Sequence, residues 1–261
     1  RDPNRGTIYD GPMALLVNAQ SASASEMLAG TLQDYNRAVI IGSTTFGKAT
    51  MQALFPLDTV NLKATPSDSE TELAKVTVGK IFRVNGHTAQ LTGVIPDIIL
   101  PDAFDGLPIG ERFEISPLNA DTVAKNNYYK PLALLPIGDL SAKSKTRLTN
   151  NVNFVQLSKM ADAQRKIVNE GKMIIPLQPD QFGKWRQQQD VFSVTPDCDN
   201  VISAAFTADN HAQDKQKLLG DDFEKEINDM WLKNISCDLY IQEAASVLTD
   251  LINITKTTSK N

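Results

Sequence analysis

A chain of 261 residues with 41% hydrophobic and 22% charged residues can bury at least one sizeable core and has length for two. The formal net charge of −5, the pI near 5.1 and the scatter of lysines and arginines speak against a nucleic-acid groove. No apolar run reaches the roughly 18 residues of a membrane span, and the first residues lack the charged-then-apolar layout of a signal peptide.

Arg1-Asp-Pro-Asn reads as the interior of a longer protein, and turn chemistry there leads to Thr7-Ile-Tyr9, which suits half of a hairpin. Residues 12–17 read as a buried strand. Met27, Leu28, Leu32 and Tyr35 recur at helical spacing, so a helix is expected over about 23–36. The run at 38–42 is apolar throughout, as in a strand covered on both faces, which makes 12–42 a β-α-β unit of the α/β class. Lys48 to Leu54 alternates as a strand, 64–73 is a polar loop, and Ala74 to Val84 alternates again before the turn Asn85-Gly86. A short apolar strand fenced by Pro96 and Pro101 closes this first unit.

Beyond about residue 115 the texture becomes helical: Val152 to Asn169, Phe182 to Gln189, His211 to Leu218, and Phe223 to Ile254 in one or two pieces. The expected division is therefore 1–115, α/β, and 116–261, a mainly helical C-terminal domain. Lys184 to Asp190 reads as an exposed polar helix face, and Asp221 to Glu226 as a solvated helix start whose acidic residues suit the helix dipole. Cys198 and Cys237 are too few and too far apart for a zinc pattern; a free buried pair and a single disulfide both fit.

Chemistry concentrates at the junction between the first strand and the first helix, where Ser21, Ser23 and Ser25 lie beside the unpaired amides that open a helix. Ser23-Ala-Ser-Glu26 fits a capping box, so the plain reading is a helix N-terminus and nothing more. A serine becomes a nucleophile only beside a base, and a lysine kept neutral can serve. Lys48 follows Gly47, which permits close backbone approach, and Phe46 and Met51 could wall it; the plain alternative is a solvated lysine. Gln52, four positions on, falls on the same side and could orient the amine with its amide oxygen. His87 and His211 sit in polar turns without a serine motif, which argues against a Ser-His-Asp triad. Neither histidine has metal-ligand spacing, and no cofactor or metal is expected.

Gly11 to Val17, Ser21-Ala-Ser-Ala-Ser-Glu26, Leu32-Gln-Asp-Tyr-Asn-Arg-Ala38 and Thr45-Phe-Gly-Lys-Ala-Thr-Met-Gln52 together resemble the C-terminal processing peptidases, most closely the tail-specific protease branch. The resemblance continues in Lys80 to Gly86, Thr92 to Ile99 and, more faintly, Gly110-Glu-Arg-Phe-Glu114. It implies a crotonase/ClpP-like β-α-β core and a periplasmic or cell-envelope serine endopeptidase with a Ser-Lys dyad that acts near the C-termini of proteins. By motif position Ser23 is the nucleophile, Lys48 the general base and Gln52 its partner, while the Ala24 amide supplies half of an oxyanion hole. Asp34 occupies the position of an aspartate that matters in this branch, although a structural role on its helix fits equally. The 25-residue interval from Ser23 to Lys48 is what selects Ser23 over Ser21 and Ser25.

The resemblance further implies protein or peptide substrates with apolar C-terminal tails, and it is compatible with an adaptor protein and with homo-oligomers; nucleic acid is not an expected partner. A PDZ domain and a glycine-rich oxyanion segment normally precede this stretch, so the 261-residue piece is expected to be weak or inactive alone. Ala49 stands where glycine is usual. Two other classes stay open: a catalytically silent protease-like scaffold or binding module, and an acyl-thioester enzyme of the related crotonase-like fold.

Overall fold

The computed structural model describes residues 6–57, 72–170, 176–190 and 206–258. Strand β1 (Ala14–Val17), helix α1 (Ala24–Asp34) and strand β2 (Val39–Gly42) form the expected β-α-β unit, with β1 and β2 parallel and paired from Ala14↔Val39 to Val17↔Gly42. Strand β5 (Ile98–Ile99) adds in parallel on the other side of β2, giving the order β1-β2-β5. Strands β3 (Thr50–Pro56) and β4 (Leu73–Lys80) form a separate antiparallel pair with an irregularity between Met51 and Gln52. Residues 7–9 form no strand: Ile8 lies 99% exposed, so the apolar side chain that was to anchor a hairpin has nothing to pack on. The loop expected at 64–73 falls largely outside the described residues.

The central position of β2 explains its unbroken apolar sequence. Val39, Ile40 and Ile41 are each 0% exposed, and they alternate between two cores. Ile40 and Ala38 join Ala29 of α1, Ala49, Ala89 and Val94 on one face. Val39 and Ile41, with Ile98 and Leu100, turn to the other face and meet the helical half. Burying one such isoleucine contributes about 1.5–3 kcal/mol, so Ile41→Ala would leave a void in that core.

The helical half consists of α2 (Ile137–Asn150), α3 (Val152–Glu170), α4 (Pro179–Asp190), α5 (Ala212–Lys217), α6 (Asp222–Cys237) and α7 (Leu239–Thr258). A short 3-10 turn, Glu111–Phe113, precedes it. Helix α2 has no counterpart in the sequence reading. Leu140, Phe154, Leu157, Leu239, Val247 and Leu251 share one core with Val39, Ile41, Ile98 and Leu100, so the sheet lies between α1 and the helical half. Arg147 of α2 reaches Glu243 and Asp250 of α7, each at 2.7 Å, and Lys143 adds a 3.0 Å contact to Asp250. The Tyr240 hydroxyl donates to the Pro101 carbonyl at 2.8 Å; burial, and then the charge of Asp102, push that phenol well above its ordinary range. Cys237 is buried and disulfide-bonded, while Cys198 lies outside the described residues. Among the described residues no helix is long and apolar enough to cross a membrane.

Candidate active site

Helix α1 sets the site by the way it begins and ends. Its C-terminus closes with Asn36 in the left-handed region (φ 52) and amides of Asn36 and Arg37 returning to the carbonyls of Gln33 and Leu32, the Schellman arrangement. Its N-cap, Ser23, has φ 58 and ψ −113, outside the extended conformation usual for a cap. A non-glycine residue held there stores about 1–3 kcal/mol of strain and persists only where its surroundings over-determine it. Ser23 and Glu26 keep the capping-box arrangement; the Glu26 half closes as a 2.9 Å bond from the Ser23 amide, but Ser23 forms no side-chain cap hydrogen bond. The neighbouring serines are engaged locally, with Ser21 Oγ accepting from the Asn18 amide at 3.1 Å and the Ser25 hydroxyl donating to the Ala22 carbonyl at 2.7 Å. Ala24 opens α1, so its amide has no acceptor within the helix.

Glu26 organises the junction. Its carboxylate is 2% exposed and accepts from the Ser23 amide, from the Thr45 hydroxyl, and from the amides of Gly47 at 2.7 Å and Lys48 at 2.8 Å. Oε2 alone takes the amides of both Ser23 and Lys48. A buried charge is tolerated where donors surround it on this scale. The chain following β2 is thereby tied to the turn that carries Ser23. Thr45 completes the tie, since its Oγ1 also accepts from the Val94 amide at 2.7 Å.

The half-buried Lys48 donates from Nζ to Gln52 Oε1 at 2.6 Å. Gln52 in turn donates from Nε2 to Thr50 Oγ1 at 2.8 Å and to Thr77 Oγ1 at 3.4 Å, which turns its oxygen toward the lysine. The irregularity between Met51 and Gln52 lies beside this residue, as bulges that re-aim a side chain commonly do. Gly47 has φ 92, and a Cβ there would stand 3.0 Å from the Leu91 carbonyl carbon, so the turn before Lys48 requires glycine.

Asp34 ends α1, about 16 Å along the helix from Ser23 at 1.5 Å per residue. Its carboxylate accepts from Arg83 Nε at 2.9 Å, Arg83 Nη2 at 2.7 Å and Asn85 Nδ2 at 3.0 Å. His87 is exposed and bridged to Thr122, and His211 caps α5. The backbone amides of Ser23 and Lys48 thus meet at Glu26, with Ala24 following Ser23 and Gln52 bonded to the Lys48 side chain, while Asp34 is occupied at the opposite end of α1. Sequence reasoning treated Glu26 as a cap only and missed Thr45; of the two only Glu26, as the third helical residue after Ser23, carried a local signal.

Residues 104–253 match the C-terminal domain of tail specific protease, and residues 1–100 match Peptidase family S41. The chain belongs to the tail-specific protease family. A tail-specific protease of Haemophilus influenzae is 34% identical over 166 residues, covering 62% of this chain and 23% of that protein. A carboxyl-terminal-processing protease of Picosynechococcus is 39% identical over 104 residues, covering 40% of this chain and 21% of that one. The solved photosystem II D1 C-terminal processing protease is 36% identical over 34% of this chain and 20% of its own, with a TM-score of 0.27, too low for a comparison of architecture. The chain therefore spans less than a quarter of the length of these relatives.

Proposed function

We propose that this chain carries the Ser-Lys dyad of a serine endopeptidase that cleaves protein substrates recognised near their C-termini. Ser23 Oγ attacks the scissile carbonyl and Lys48 Nζ, as the neutral amine, takes its proton. The Ala24 amide donates to the oxygen that becomes negative in the tetrahedral intermediate. Lys48 returns the proton to the leaving amine, and a water activated by the same lysine releases the acyl group from Ser23. Gln52 orients the amine, and Asp34 acts at a distance by holding the Arg83-Asn85 segment. The observation that carries this reading is the single oxygen, Glu26 Oε2, that binds the amides of both Ser23 and Lys48 while Lys48 Nζ is held by Gln52.

Residues 1–115 are the C-terminal part of the catalytic domain in this reading, with a crotonase/ClpP-like core, and 116–261 are the helical domain of the branch. The β1-α1-β2 unit supports that core assignment. The family membership supports a periplasmic or cell-envelope place, substrates with apolar C-terminal tails, an upstream PDZ domain, and low activity of this 261-residue piece alone. Ser23→Ala and Lys48→Ala in the full-length protein should each lower cleavage of a protein with an apolar C-terminal tail by at least about 1,000-fold. Undiminished cleavage in either variant would overturn the dyad, whereas a full-length parent that cleaves nothing would leave the silent-scaffold reading in its place.

A further inference from the structure

Three consecutive amides, of Gly47, Lys48 and Ala49, donate to buried side chains: the first two to Glu26, the third to Gln90 Oε1 at 2.8 Å. Gln90 is 0% exposed and lies 41 residues from Ala49 in the chain. Its Nε2 donates to Glu111 Oε1 at 3.1 Å and to the Leu118 carbonyl at 3.0 Å, so the acceptor and both donors of this amide are used in different directions. The backbone beside it grips the same turn, because the Leu91 amide donates to the Gly47 carbonyl at 2.8 Å. Leu91 does so from φ 68, a left-handed conformation that a leucine adopts only under constraint. Loop 88–93 thus holds the chain on both sides of Lys48. Glu111 closes the circuit, its own amide donating to the Phe46 carbonyl at 2.9 Å.

We infer that Gln90 is a positioning residue for Lys48, and that through Glu111 and Leu118 it makes the placement of the lysine depend on segment 111–118, which lies within the stretch matched by the tail-specific C-terminal domain. This rests on the Ser-Lys reading above. A general base must sit within hydrogen-bond reach of the proton it takes, and a displacement of 1 Å can lower the rate about 100-fold. A leucine in place of Gln90 fills similar volume but leaves the Ala49 amide, whose residue is 4% exposed, without its acceptor. The lysine-bearing chain is then free to shift.

The test uses the full-length protein with steady-state cleavage and with the rate at which a fluorophosphonate labels Ser23. Gln90→Leu should lower kcat about 10- to 100-fold, leave KM within about 2-fold, and slow labelling by the same factor as kcat. Glu111→Ala, a change at a partly exposed residue that leaves the core intact, should lower kcat about 3- to 10-fold in the same pattern. Glu111→Gln keeps an acceptor oxygen for Gln90 Nε2 and should hold kcat within about 3-fold of the parent. Full kcat and full labelling rate in Gln90→Leu and Glu111→Ala would overturn the inference, as would a loss carried by KM or a Glu111→Gln variant no better than Glu111→Ala. Should Gln90→Leu not fold, Glu111→Ala and Glu111→Gln decide alone. Ser23→Ala separates the two levels: undiminished cleavage there overturns the dyad and this inference together, whereas its loss beside unaffected Gln90 and Glu111 variants overturns the inference only.

Discussion

Ser23 and Lys48 donate their backbone amides to one oxygen, Oε2 of Glu26, at 2.9 and 2.8 Å. The two groups that would exchange a proton are thereby referred to a common buried anchor rather than to each other through the flexible lysine stem. Glu26→Gln should disturb both at once. An amide has one acceptor oxygen and presents N–H groups where the carboxylate received them, so at least one of the four donors to Glu26 is left unpaired. We expect stability to fall by about 2–4 kcal/mol in urea titration and cleavage by about 100-fold in the fraction that folds. Parent-like cleavage with lowered stability would reduce Glu26 to a fold residue.

Gly47 makes a second, purely conformational prediction. Gly47→Ala places a Cβ 3.0 Å from the Leu91 carbonyl carbon and 3.1 Å from the Gly93 nitrogen, at φ 92. The strain should destabilise by about 1–3 kcal/mol and displace the adjoining lysine. Gly138→Ala is the control, since nothing lies within 4 Å of the added carbon at that helical position. It should raise stability by about 0.5 kcal/mol and leave cleavage unchanged. Thermal melts of the two variants should therefore move in opposite directions, and melts moving the same way would count against the strain at Gly47.

The contrast between these glycines indicates what the sequence could and could not convey. The β1-α1-β2 unit was readable because its periodicities are local, an unbroken apolar run in β2 and helical spacing in α1, although Met27 and Leu28, which helped carry that spacing, are each 52% exposed and Ala29 and Leu32 form the inner side. Lys48 and Gln52 were readable as partners because four residues along an extended chain return to the same side. Glu26 reaches Lys48 across 22 residues and Gln90 reaches Ala49 across 41, and no periodicity encodes such pairings. Helix α2 escaped notice because only Leu140 and Ser144 of its 14 residues are buried, so its apolar stripe is too sparse to stand out among serines, lysines and threonines. That α2, α3 and α7 share a core with β2 is a tertiary fact; the sequence texture alone suggested two separate bodies.

Asp34 can be separated from the chemistry by a conservative change. Its side chain is 8% exposed and paired with Arg83 at 2.7 Å, so Asp34→Asn weakens the tie between α1 and the 83–85 segment and leaves the guanidinium short of a countercharge. Stability should drop by about 1–3 kcal/mol, while kcat per folded molecule stays within about 3-fold of the parent. A loss of kcat near that of Ser23→Ala in fully folded protein would instead place Asp34 among the catalytic residues.

The clamp between α2 and α7 predicts an acid-sensitive step in unfolding. Burial alone would push the Asp250 carboxyl up, but hydrogen bonds from Arg147 and Lys143, with their positive charges, outweigh it and hold the group below the usual carboxylate range. A folded-state value below the unfolded one near 3.9 means that the unfolded chain binds the proton more readily. The contribution of Asp250 to stability is therefore fully present above about pH 4 and is lost as pH falls through the lower, folded-state value. Arg147, held above its usual value by the hydrogen bonds it donates to Glu243 despite burial, keeps its charge throughout, so the carboxylate is the partner that titrates. Urea unfolding at pH 7 and pH 3 should show the parent losing more stability between the two than Asp250→Asn does. Because α2 and α7 cover the face of the sheet formed by Val39, Ile41, Ile98 and Leu100, the same acid step should loosen the layer behind β2. Equal losses in parent and variant would mean that the ion pairs of Asp250 with Lys143 and Arg147 have no part in that acid step.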